Sequence, residues 1–176
     1  MAALRAWIGL GANLGDAAGA LSRALDAIDA LPATQVVRVS SLYRSAPVDA
    51  QGPDFVNAVA EIETTLKPPE LLAQLLTIEA GEGRQRPYRN APRTLDLDLL
   101  LASDADGPLR IDSASLVLPH PRMHLRAFVL APLAELDAQL AVPVHGRVAD
   151  LLAACADQRI ERIGAMPRPK PAAAPR

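Results

Sequence analysis

Cysteine is almost missing from this chain. Cys155 is the only one, so neither a disulfide framework nor a cysteine-built metal site can form within it. Aromatic residues are nearly as scarce: Trp7, Tyr43, Phe55, Tyr88 and Phe128 are too few for the stacking platforms that single-stranded nucleic acid requires. Nor is there an excess of basic charge. The chain has 18 Lys plus Arg against 20 Asp plus Glu, a formal charge of -2, so any polyanion must be met locally rather than drawn in by the whole molecule. Arg5 is the only charge before the apolar run Ala6 to Leu10, and Asn13 and Asp16 follow it closely, which fits neither a secretory leader nor a membrane span. These absences lead us to expect a cytoplasmic monomer that engages no membrane and no nucleic acid.

What is present suits one catalytic domain: 176 residues, half of them apolar, can bury a single substantial core. Trp7 to Leu10 reads as a strand ending in a turn at Gly11, Asn13 and Gly15, with Asn or Asp available to cap the helix of Leu21, Leu25 and Ile28. Val36 to Tyr43 is rich in β-branched residues and reads as one strand. In Phe55 to Ile62, Phe55, Asn57, Val59 and Glu61 share a polar or site-facing side, while Val56, Ala58, Ala60 and Ile62 share a packed side. Pro68 and Pro69 open a helix striped by Leu71, Leu75 and Ile78. A short helix is expected within Phe128 to Leu136, interrupted or started near Pro132, and another within Val148 to Ala156. A catalytic domain over 1–163 and a flexible Pro/Ala-rich basic tail over 164–176 complete the division.

The chemistry is concentrated around residues 84–98. In Leu95, Asp96, Leu97, Asp98, Leu99 the alternation puts leucines on one side of a strand and both carboxylates on the other, about 6.6 Å apart along the backbone. Two hard carboxylates suit Mg²⁺, which keeps waters and binds substrate phosphates. Alone, the pair fits a solvent-facing sheet equally well, but Arg84, Arg86, Arg89 and Arg93 precede it in a loop. They supply planar donors for phosphate oxygens, with some pairing to nearby acids. No Gly-rich segment ends in Lys-Ser or Lys-Thr, so the common phosphate-binding loop is excluded and Gly9, Gly11 and Gly15 are read as turn glycines. The residues therefore indicate a Mg²⁺-dependent phosphoryl-type transferase. A nucleotidyltransferase uses the same parts on the α-phosphorus, and an RNA-binding module on a related sheet is disfavoured by the acidic body.

From Ala6 to Asp157 the chain resembles the 6-hydroxymethyl-7,8-dihydropterin pyrophosphokinase family. The resemblance rests on Arg93 to Leu99, on Gly11, Asn13 and Leu14, on Ser41 to Arg44, on Phe55 to Asn57, and on Pro119 with His120. It implies an α+β, ferredoxin-like antiparallel sheet with packed helices in a three-layer α/β/α arrangement. It also implies transfer of the terminal pyrophosphoryl unit of ATP to the pterin hydroxymethyl group, giving the pterin diphosphate and AMP in folate biosynthesis. By position, Asp96 and Asp98 resemble the ligands of two Mg²⁺ ions, Arg84 and Arg93 resemble phosphate-stabilising residues, and Arg86 matches a residue of the closing loop. His120 and Arg126 resemble nucleotide-side groups. Phe55 and Phe128 match a pair that sandwiches the pterin ring, Asn57 one that reads its polar edge, and Ser45, Ala46 and Val48 a loop that approaches the ring. Glu79 matches a residue supporting the arginine loop. Asn90 and Pro121 depart from the pattern, standing where relatives place Trp and Tyr.

Overall fold

The computed structural model describes residues 2–47, 52–82 and 95–167. In chain order these form β1 (Leu4–Ala12), α1 (Ala17–Asp29), β2 (Thr34–Val39), β3 (Leu42–Ser45), β4 (Phe55–Thr64), α2 (Pro68–Glu82) and β5 (Asp96–Asp104). Short pieces follow as β6 (Gly107–Pro108), β7 (Ile111–Asp112) and β8 (Val117–Leu118), then a 3₁₀ turn at Met123–Leu125 and α3 (Ala127–Asp137). The chain ends in β9 (Ala141–Val142), β10 (Gly146–Arg147), α4 (Val148–Ala154) and β11 (Ile160–Gly164).

One antiparallel sheet organises the fold, in the order β11, β3, β4, β1, β5, β6, with β2 also paired to β4. Alternation along the strands sends Ala6, Ile8 and Leu10 of β1, Ala58, Ala60 and Ile62 of β4, and Leu97 and Leu99 of β5 to one face. There they meet Leu21, Leu25 and Ile28 of α1 and Leu71 and Leu75 of α2, giving a buried apolar layer. Asp16 starts α1 by accepting a hydrogen bond from the Gly19 amide at 3.0 Å. On the other face Trp7, Val59, Leu100 and Leu101 pack against Leu130 and Leu133 of α3, with Val148 of α4 behind them. The result is the expected α+β, three-layer arrangement of helices on both faces of an antiparallel sheet. Among the described residues no helix is long and apolar enough to cross a membrane.

Several local expectations change. Gly9 and Gly11 are not turn glycines, because β1 runs on to Ala12 and both lie inside it; only Gly15, with φ 57°, turns the chain. The strand expected over Val36 to Tyr43 breaks into β2 and β3. Ser40 diverts the ladder: its hydroxyl donates to the Ser41 carbonyl at 2.8 Å and accepts from the Val59 amide at 2.9 Å. Glu61 does not face a site. It is buried between the guanidinium groups of Arg38, at 2.6 Å, and Arg5, at 3.4 Å. Helix α3 neither starts nor stops at Pro132, which lies inside it and forgoes only the hydrogen bond that its missing N–H would have given Phe128.

The C-terminal boundary moves as well. Gly164 belongs to β11, an edge strand on β3, and beyond it Met166 is 8% exposed and joins the main core while the Pro167 carbonyl accepts from the Ser22 hydroxyl at 2.8 Å. Packed chain thus extends past the boundary expected at Gly164, and residues 168–176 lie outside the described residues. Ending the chain after Ala165 should cost about 2 kcal/mol by emptying the Met166 site. Calorimetry should show a fall of roughly 4 to 8 °C in Tm. Ending it after Pro167 keeps the Met166 packing and the Ser22 bond, so equal melting of the two truncations would contradict the packing role of Met166.

Candidate functional site

The site grows out of strand register. Gly11 of β1 lies opposite Asn57 of β4 on one side and Asp96 of β5 on the other, and Gly9 lies likewise between Val59 and Asp98. Register puts Tyr43 beside Asn57 and Ser45 beside Phe55, extending the rows across β3. All these residues face α3. Because the two central positions carry no side chain, the sheet is hollow there: a Cβ on Gly11 would come within 3.3 Å of Asn57 Oδ1 and 4.0 Å of the Phe55 ring. The hollow is a cavity of about 260 Å³ lined by Gly9, Gly11, Ser45, Ala46, Phe55, Asn57, Asp96, Asp98, Arg126 and Phe128, among others.

The structure therefore brings together eight of the residues singled out from the sequence. Phe55 comes from the start of β4 and Phe128 from the first turn of α3, one on each side of the cavity. Asn57 is 4% exposed and its amide nitrogen donates to the Ser45 hydroxyl at 2.8 Å and to the Tyr43 carbonyl at 3.4 Å. Both N–H groups being spent on the protein, Asn57 offers its carbonyl oxygen to an occupant. Glu79 of α2 accepts from the Leu97 amide at 2.6 Å, which closes the edge of β5 between the two aspartates. Arg84, Arg86, Arg93 and Val48 lie outside the described residues.

His120 is placed by a bulge. Between Trp7 and Ile8 the pairing of β1 with β5 slips by one residue, leaving Leu100 without a partner on β1. Its carbonyl accepts from the His120 amide at 2.8 Å, which brings His120 Nε2 to 3.9 Å from Asp98. His120 Nδ1 accepts from the Arg122 amide at 3.2 Å, so a neutral ring carries its proton on Nε2. Burial holds the ring below its ordinary pKa of 6.5, and nearby Arg126 and Arg122 act the same way against the opposing effect of Asp98. At neutral pH this histidine is thus a donor near the carboxylates.

Reading the sequence missed the brace behind the cavity. Glu135 of α3 accepts from the Ser41 amide at 2.9 Å, the Ser41 hydroxyl at 3.3 Å and the Tyr43 hydroxyl at 2.7 Å. These bonds tie α3, which carries Phe128, to β3, which flanks Phe55 and Asn57. Burial would raise the Glu135 pKa, but the bonds from Tyr43 and Ser41 outweigh it and hold the carboxyl below its ordinary 4.5. Burial and then the Glu135 bond push Tyr43 up to about 12. A Glu seven residues after a Phe expected at the site, two turns along one helix, was the only signal available.

The family model described as 7,8-dihydro-6-hydroxymethylpterin-pyrophosphokinase (HPPK) matches residues 7–138. The chain is similar to 2-amino-4-hydroxy-6-hydroxymethyldihydropteridine pyrophosphokinase of Pseudomonas aeruginosa, 45% identical over 160 residues, covering 90% of this chain and 96% of the relative. Its counterpart in Haemophilus influenzae is 42% identical over 161 residues, covering 91% and 98%. Among solved structures, Plasmodium falciparum HPPK-DHPS with pterin and p-hydroxybenzoate superposes with a TM-score of 0.66 at 14% identity. That match covers 86% of this chain and only 43% of the longer one, and carries the fold alone.

The Glu135 brace makes a pH prediction. Tyr43 is raised above its unfolded value of 10.0, so its contribution is fully present below pH 10 and is lost as pH rises through about 12. Glu135 is depressed, so its contribution is present above 4.5 and is lost as pH falls through its lowered value. Tyr43→Phe should cost about 1 kcal/mol at pH 7 and lose less stability than the parent between pH 10 and 12. Urea unfolding across that range checks it, and parallel curves for parent and variant would remove the brace.

Proposed function

The chain belongs to the 7,8-dihydro-6-hydroxymethylpterin-pyrophosphokinase family and transfers a pyrophosphoryl group to hydroxymethyl-dihydropterin, and we propose that transfer runs in the cavity between Phe55, Phe128 and the Asp96–Asp98 pair. One observation supports this reading above the rest: a single hollow has aromatic walls and a lone carbonyl acceptor at one end and two carboxylates at the other. The first end suits a flat heterocycle with N–H groups on its rim, and the second suits charged phosphates bridged by metal.

Mg²⁺ fits the donor set. Asp96 and Asp98 offer hard oxygens on adjacent sites of one strand face, and among the described residues no group of three or more His, Cys, Asp or Glu encloses an ion. Two protein carboxylates with the remaining positions left to water and substrate phosphates match the habits of Mg²⁺ rather than Zn²⁺. Two ions held there would neutralise the triphosphate of ATP and lower the pKa of the acceptor hydroxyl.

The chain's own residues do the rest. Phe55 and Phe128 hold the pterin ring between their faces, and Asn57 Oδ1 accepts from its N–H edge, which points the hydroxymethyl group toward the aspartates. Phe128 is kept at working distance by Glu135, so the slot does not have to form on binding. Arg126 lies 5.5 Å from the centroid of the Phe128 ring and lines the same cavity, so its charge reaches the phosphates from the pterin side. His120 donates from Nε2 and is not poised to take the hydroxyl proton, which leaves phosphate oxygen or water as its destination.

Asp96→Asn and Asp98→Asn should each lower kcat about a thousandfold with the fold intact, since neither side chain supports the core. Activity and circular dichroism measured together decide this, with near-parental turnover in either variant removing the assignment. Chromatography should find AMP and the pterin diphosphate; ADP, or pyrophosphate with a nucleotidylated pterin, would reject the reaction as stated.

Phe128→Ala should weaken pterin binding about thirtyfold while ATP affinity changes little, because aromatic area is lost from one end of the site only. Calorimetry with each ligand separates the two, and unchanged pterin affinity would take Phe128 out of the slot.

A further inference from the structure

Across Phe128 from the carboxylates, a second cavity of about 450 Å³ opens beside the first. The two share Ser45, Ala46, Arg126 and Phe128, yet no Asp or Glu lines the outer one. Three arginines do: Arg122, Arg126 and Arg159. Among the described residues none of the three is paired with a carboxylate, although the chain as a whole has more acids than bases and Arg5, Arg23, Arg38, Arg44, Arg147 and Arg162 each find one.

The wall behind these arginines is built rather than incidental. Gln158 donates to the Leu125 carbonyl at 2.7 Å and accepts from the Ala127 amide at 2.9 Å. This side chain fastens the segment carrying Arg159 to the one carrying Arg126. It also takes up an amide at the start of α3, where Arg126 is the N-cap residue and gives no side-chain cap. The positive end of that 11-residue helix therefore opens on the same cavity, through Ala127 and Phe128. Concentrated like charge with no acid among its walls attracts a compact anion of two or more charges, and guanidinium groups match phosphate oxygens in shape.

We propose that the outer cavity is a subsite for a small phosphate-type polyanion such as a diphosphate, separate from the transfer centre and joined to it through Arg126. The proposal rests on the functional reading only in placing the transfer centre at Asp96 and Asp98. An anion bound there competes for the Arg126 guanidinium, which sits on the wall between the two cavities, so the subsite links transfer to the supply of free phosphate-type anions.

The test uses inorganic pyrophosphate as probe, titrated calorimetrically into the metal-free full-length protein. Arg159→Ala should weaken its binding about tenfold and the Arg122→Ala, Arg159→Ala pair about a hundredfold, as loss of one charged hydrogen-bond donor each implies. Both residues are exposed, so folding should be unchanged, and kcat and KM for ATP and pterin should stay at parental values. Asp96→Asn should leave pyrophosphate binding intact, which keeps the outcome independent of the transfer assignment. No binding to the parent, or parental affinity in the double variant, would overturn the subsite. A rise in KM for ATP that tracks the loss of pyrophosphate would overturn it too, by placing these arginines in the transfer centre.

Discussion

The cavity depends on the register that stacks Gly9 and Gly11 between β4 and β5. In a sheet with both faces covered, every strand position pointing at a helix layer is ordinarily filled, and Ile8 and Leu10 fill theirs on the other face. Two glycines on one face of the central strand leave room that no motion has to create. They also fix what surrounds it. The residues beside a given β1 position are set by pairing, so Asn57 and Asp96 stand on either side of Gly11, one ending in an amide and the other in a carboxylate. A slip of one residue would swap Asn57, in the pairing with β4, or Asp96, in the pairing with β5, for a residue of the opposite face and dismantle the cavity.

The bulge at Leu100 solves a second problem set by the same alternation. Up to Leu99, β5 shows aspartates to the cavity and leucines to α1 and α2, a pattern that continued would put a polar row beneath α3. Inserting one residue lets Leu100 and Leu101 both join the α3 layer, so the strand is a site at its start and core at its middle. The unpaired Leu100 carbonyl then becomes the anchor for His120. One irregularity thereby closes the core and sets the distance between the histidine and Asp98.

How much of this was legible in the sequence follows from the range of each interaction. The Asp96–Asp98 alternation is local and was read directly, as were the capped helix after Asp16 and the helix opened by Pro68. Gly9 and Gly11 were misread because a glycine in a turn and one facing a cavity look alike until the neighbouring strands are known. The break at Ser40 depends on a hydroxyl bonding Val59, and the burial of Glu61 depends on Arg5 and Arg38, each many residues away. Met166 looked like part of a tail because the core it joins is built from residues far earlier in the chain. The placing of Phe55 and Phe128 came from a resemblance and not from periodicity, since aromatics in a core have the same pattern.

Charge is sorted across Phe128. Asp96 and Asp98 line the inner cavity, Arg122 and Arg159 the outer one, and Arg126 borders both, in a chain whose overall charge favours neither sign strongly. Without a bridging cation, the carboxylates repel phosphate, so affinity for a polyphosphate at that end depends on what accompanies it; the arginine side attracts anions unaided. Arg126 lies 5.5 Å from the centroid of the Phe128 ring, so the one arginine common to both cavities is positioned by an aromatic ring that also lines both.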